Sequence, residues 1–312
     1  MLEKAAAGPP SDGCDFFNKF EYLQHLFAGN PAAALNSGLN LLSKLKELSP
    51  DKYKRIHNGT PHYWLAIAAF QCHDYQSALL FIDAAVTADL NAGAIVGNGE
   101  SPAIKFMLLR GHEEGHAARP IVEHLQNIIA ASIADYQNVT GSNQTLDIDF
   151  VRNKFILPSL PQPELRTVTT TFLTFFLEWR HRATLIDLDI CSGTNEPFFL
   201  HLAKGCLLFE SILKNKYKEK DKNPTLAPLI NEHRQCLGIN GNSKINIGCK
   251  DPADLTLCGQ SAIADRIIRV GKMRNCFNHS LSWPITLDGS TYNAFVRDIS
   301  SALLHAVACL YK

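Results

Sequence analysis

Met273-Arg274-Asn275-Cys276-Phe277-Asn278-His279 lies near the C-terminus, directly after a run, 261–272, in which Ile263, Ile267, Ile268 and Val270 recur at helical spacing. The spacing predicts an amphipathic helix with one buried side, so Arg274 and His279 are held on or just beyond a structured support. Arginine is a permanent cation whose planar fork of donors suits phosphate, and histidine gives or takes a proton near neutral pH. The pair suits phosphodiester chemistry. A plainer reading of the same residues makes Arg274 a surface ion-pair partner and His279 a capping or loop residue, because Trp283-Pro284 follows and a helix is expected to stop there. Asn275 and His279 are four apart and share a helix face, whereas Arg274 and His279 are five apart. Arg274 and His279 therefore meet on one phosphate only if the helix breaks between them or a second copy of the chain contributes.

Working outward, the periodicities predict further long helices over 164–189, 197–217 and 292–311. Arg-Asn, three residues, then His, set among these helices, resembles the motif of the HEPN superfamily of α-helical nucleotide-binding and ribonuclease domains. The likeness covers roughly the C-terminal half of the chain. It implies a helical bundle over 164–312 and a metal-independent RNA endonuclease that dimerises so that two Arg/His motifs face one cleft. In that scheme a ribose 2′-hydroxyl attacks the adjacent phosphate, with His279 as general acid or base, Arg274 stabilising the phosphate charge and Asn275 fixing geometry. Glu178 either pairs with Arg182 one turn on, as in an ordinary surface helix, or orients His279 or a ribose hydroxyl. Lys272 and the basic run holding Lys214, Lys216 and Lys218 are the candidate RNA contacts, although such a run also serves as a solvated helix end. By family association the chain would be a toxin or phage-defence effector; many HEPN members lack activity, and a non-catalytic dimerisation or nucleotide-binding adaptor is the alternative.

Composition limits the rest. With 30 basic and 30 acidic residues the formal net charge is zero, so no global field draws the chain to nucleic acid, and RNA contact has to be local. At 312 residues and 46% hydrophobic content, two domains with cores of their own are the default. The nine cysteines form no CxxC pairs and 1–4 begins no signal peptide, so the thiols are expected to be reduced and the protein cytoplasmic. The apolar run 169–177 is broken by Glu178, Arg180 and Arg182 and is too short to span a bilayer.

Upstream, Phe16, Phe17, Phe20, Leu23, Leu26 and Phe27, then Leu35, Leu39, Leu42 and Leu45, predict one helical hairpin broken at Gly29-Asn30-Pro31. A second spans Tyr63-Trp64-Leu65-Ala66, a turn at His73-Asp74-Tyr75, and Ala78, Leu79, Ile82 and Ala85. That spacing resembles the back half of a tetratricopeptide repeat, and an ordinary helix pair fits nearly as well. The chain is thus read as all-α, with a TPR-like module over 14–138 able to bind a protein partner and a HEPN-like bundle over 164–312. Pro158, Pro161 and Pro163 mark 139–163 as the linker. His112-Glu113-Glu114-Gly115-His116 matches the zinc-peptidase pattern literally, but Gly111, Gly115 and Pro120 argue for a loop. No metal and no cofactor are expected.

Overall fold

The computed structural model describes residues 21–94, 100–111, 116–141, 146–188, 195–216, 225–240, 245–249, 255, 262–277 and 287–312. Its elements are helical, with no strand among the described residues, so the class is all-α. No helix among them is long and apolar enough to cross a membrane. The chain divides into two compact units, Met1–His124 and Leu125–Lys312.

The first unit runs through α1 (Glu21–Phe27), α2 (Pro31–Leu48), α3 (Pro50–Arg55), α4 (Gly59–Gln71), α5 (Tyr75–Asn91) and α6 (Pro102–Met107). α1 packs on α2 and α4 on α5, with α2 also against α4, which gives the two expected hairpins. Their turns follow from local chemistry. Gly29 takes a φ of +76°, open to a residue without a side chain, and ends α1. The Asn30 side chain then accepts from Ala33 N at 3.1 Å, with Pro31 in the first turn of α2. Asp74 caps α5 in the same way, accepting from Ser77 N at 3.1 Å. Ala66, Ala69, Ala78 and Ala85 are buried, and these small side chains let α4 and α5 approach closely.

α7 (Arg119–Thr140) runs across the division. Residues 139–163, expected as a linker, lie in the second unit and are helical where described over much of their length. A turn at Ile148–Phe150 continues as a π-helix, Val151–Ile156, and a 3-10 turn, Leu157–Ser159. Val151, Phe155, Ile156 and Leu160 are buried, and that apolar quartet holds the segment to the core. Pro158 and Pro163 sit in the first turns of their helices, where a missing N–H costs nothing.

α8 (Pro163–Asp187), α9 (Glu196–Lys216), α10 (Leu226–Glu232), α11 (Ile263–Phe277) and α12 (Gly289–Leu310) complete the unit. α9 and α12 are central: α9 packs on α8, α11 and α12, and α12 packs on α8, α9 and α11. Phe172, Phe175, Phe176, Phe198, Phe209 and Tyr292 fill the space between them, each fully buried ring stabilising by about 1.5–3 kcal/mol.

His201 lies inside this aromatic core. Its Nε2 donates to the Phe175 carbonyl at 2.9 Å, the Tyr292 hydroxyl donates to Nδ1 at 2.7 Å, and the imidazole stacks on Phe175 at 4.6 Å. Burial, only partly opposed by the Phe175 carbonyl and Glu178, lowers its pKa to about 4. Because the unfolded chain takes up the proton near 6.5, this group's stabilisation is full above that pH and is lost as pH falls toward about 4. The expected slope is up to about 1.4 kcal/mol per pH unit. Urea titrations of wild type and His201→Phe across that window check it: the wild type should lose stability faster on acidification, and parallel curves would refute the assignment.

Candidate active site around Arg274

α11 is longer than the periodicity alone predicts, and Arg274, Asn275 and Cys276 fall in its last turn. Ile267, Val270, Met273 and Phe277 form the buried face. Gly271 is the position where a neighbouring segment comes in. A Cβ there would stand 2.7 Å from Ile247 Cγ2, so only glycine lets residues 245–249 lie against the helix. One turn on, Asn275 Nδ2 donates to the Ile247 carbonyl at 2.9 Å. Cys276 is joined to Cys249 by a disulfide, with Cα atoms 6.1 Å apart. The sequence reading of reduced thiols is corrected here: the cysteines stand 27 residues apart and meet because Ile247 packs on Gly271. Cys72, Cys206, Cys236 and Cys309 are unbridged.

Arg274 projects toward α9. Its Nε donates to Glu210 Oε2 at 2.7 Å, and Lys214 Nζ lies 2.6 Å from Glu210 Oε1. Glu210 is 4% exposed, whereas the Arg274 and Lys214 side chains keep 27% and 40% of their surface. Two half-exposed cations therefore share one buried carboxylate and leave a local surplus of one positive charge. The carboxylate fixes the guanidinium through one nitrogen, so its other donors are oriented at little entropic cost when an anion arrives. Such a spot is suited to one phosphate.

Among the sequence candidates, Arg274 and Lys214 are brought together and Asn275 is placed beside them as the grip on residues 245–249. Lys272 is half-buried on the same helix. His279 and Lys218, and the side chain of Lys216, lie outside the described residues, as do 112–115 of the zinc-like motif. His116 lies outside the helices, with Nδ1 3.5 Å from the Tyr63 hydroxyl, and no group of three metal-ligating side chains occurs among the described residues.

Glu178 has a different setting. It is 4% exposed, its Oε1 accepts from Lys204 Nζ at 2.6 Å, and Oε2 lies 3.5 Å from Arg182. The one-turn pairing with Arg182 is present, with Lys204 of α9 as the nearer partner. Burial by itself would raise its pKa, but Lys204, then His201 and Arg182, outweigh that and hold it below the ordinary carboxylate value. A carboxylate so held serves the packing of α8 on α9 better than proton transfer.

Glu210 was missed by sequence reasoning. The signal was available: it stands on the apolar face carrying Cys206, Phe209 and Leu213, and a carboxylate there requires a cation. Lys214, one turn on, was the nearest candidate. A scan against protein-family models and searches of curated proteins and of solved structures return no match for this chain.

Proposed function

We propose that the second unit is a HEPN-like domain acting as a metal-independent endoribonuclease on RNA. Arg274 binds the scissile phosphate and stabilises its growing charge, and Asn275 fixes the end of the helix that carries it. The 2′-oxygen forms a bond to phosphorus as the bond to the 5′-oxygen breaks. One proton leaves the 2′-hydroxyl and another is delivered to the 5′-oxygen, with His279 as the general acid or base. The products are a cyclic phosphate and a free 5′-hydroxyl. A homodimer brings two copies of the motif to one cleft, which resolves the five-residue spacing of Arg274 and His279. Lys214 and Lys272 contribute backbone contacts, with Lys216 and Lys218 following on the same run. The first unit is a TPR-like platform for a protein partner, and the whole is a cytoplasmic toxin or phage-defence effector. The Cys249–Cys276 bond pulls against that compartment, since disulfides are rare in reducing surroundings.

The observation that carries this reading is the Arg274 geometry: one nitrogen anchored on a buried carboxylate, with part of the side chain open to solvent. The same anchor favours a second reading. Glu210 takes up part of the Arg274 charge, as a structural ion pair would, and the domain would then be a non-catalytic dimerisation or nucleotide-binding adaptor. Incubating full-length protein with total or transfer RNA in chelator separates the two. Cleavage leaving cyclic phosphate ends, and its loss in His279→Ala, is the expected result. Cleavage undiminished in His279→Ala would remove the assigned chemistry, and intact RNA throughout would favour the adaptor.

A further inference from the structure

A cleft of about 210 Å³ opens in the second unit where α7, α8 and α12 meet, lined by Ser132, Asp135, Trp179, Arg297, Ser300 and Ser301. None of these residues belongs to the Arg274 site. The hollow exists because three serines face it, where larger side chains would fill the space beside the indole of Trp179.

Ser300 is the feature that asks for a ligand. It is 3% exposed, and its Oγ has no hydrogen-bond partner among the described residues. Helical hydroxyls in this unit ordinarily return to the carbonyl one turn back, as Ser132 does to Ile128 at 2.9 Å, Thr174 to Thr170 at 2.7 Å and Ser211 to Leu207 at 2.8 Å. Ser300 does not, and a buried hydroxyl left unmatched is costly.

Two further donors converge with it. The Ser301 Oγ accepts from Arg266 Nη1 at 2.8 Å, which turns its own proton toward another acceptor. Arg297 is 59% exposed at its side chain and only loosely paired, 3.9 Å from an equally solvated Asp135. An exposed pair at that distance gives way readily to a better partner. Trp179 has its Nε1 committed to Asn293 Oδ1 at 3.0 Å, so it offers the cleft an apolar ring surface.

We infer that this cleft binds a small aromatic carboxylate. The ring packs against Trp179, and the carboxylate accepts from the Ser300 and Ser301 hydroxyls and from the Arg297 fork, which exchanges Asp135 for the ligand. The volume falls below the usual range for drug-sized ligands, which limits the occupant to about one ring. Asp135 balances Arg297, while Arg266, bonded to Ser301, and Arg269 share the single carboxylate of Asp298, so the surroundings of the cleft carry one positive charge in surplus. A monoanionic carboxylate is therefore preferred over a dianionic phosphate ester.

The chain has three tryptophans, Trp64, Trp179 and Trp283, so full-length Trp64→Phe/Trp283→Phe protein reports Trp179 alone. Benzoate titrated into it should quench fluorescence saturably, with a Kd of about 0.1–1 mM. Arg297→Ala should raise that Kd about tenfold or more and Ser300→Ala about threefold, while benzylamine should give no response. Arg297 is exposed, so its variant decides the matter even if Ser300→Ala folds poorly. No saturable response to benzoate by about 10 mM, or unchanged affinity in Arg297→Ala, would overturn the site. Phenyl phosphate binding more tightly than benzoate would overturn the assigned ligand class.

Discussion

Arg274→Ala is expected to lower RNA cleavage by about 10²–10³-fold, the range that follows from removing one donor aimed at developing oxyanion charge. The change also strips Glu210 of one of its two cations, so some stability is lost together with activity. Arg274→Lys separates the two effects. It keeps a cation near Glu210 but loses the fork, so folding should be close to wild type while cleavage stays at least about tenfold down. Single-turnover rates on one defined RNA, together with urea midpoints, give both quantities. Wild-type cleavage by Arg274→Ala would exclude the residue from the chemistry, whatever its effect on folding.

Asp298→Ala should be the most destabilising single change among the ion pairs of the second unit, by about 3–5 kcal/mol. Asp298 on α12 is 4% exposed, bonded to Arg269 Nη1 and 3.5 Å from Arg266 Nε, both on α11. Burial raises its pKa, and Arg269 and Arg266 bring it back only in part. Its removal takes the Asp298 carboxylate away from Arg269, itself 7% exposed. Arg269→Met/Asp298→Leu should recover much of the loss, because an apolar pair of similar volume needs no desolvation of charge. Chemical denaturation of the three proteins decides it; a loss under about 1 kcal/mol for Asp298→Ala would mean that water reaches the site.

Most of the helices were legible because their causes are local. Asn30 and Asp74 announce the starts of α2 and α5, and the apolar spacing in α8, α9 and α12 reports their buried faces. The proline-rich 157–163 was misread because proline both breaks helices and begins them, and only the burial of Phe155, Ile156 and Leu160 tells which. In the candidate site, Arg274 was legible as a cation on a helix with one buried face, from the spacing of Ile267 and Val270. Its partner Glu210 lies 64 residues away, and the meeting of Cys249 with Cys276 depends on how Ile247 lies on Gly271. Contacts of that range carry no periodic signature.

The carboxylate shared by Arg274 and Lys214 has a consequence for stoichiometry. Two positive charges less one negative leave a vacancy of a single unit, which one phosphodiester would fill to neutrality. Once it is filled, any attraction for the neighbouring diesters of a strand has to come from Lys272 and the basic run beyond Lys214. In the proposed nuclease, a chain neutral overall would therefore grip RNA most firmly at one linkage and hold the flanking polymer only weakly, through those lysines.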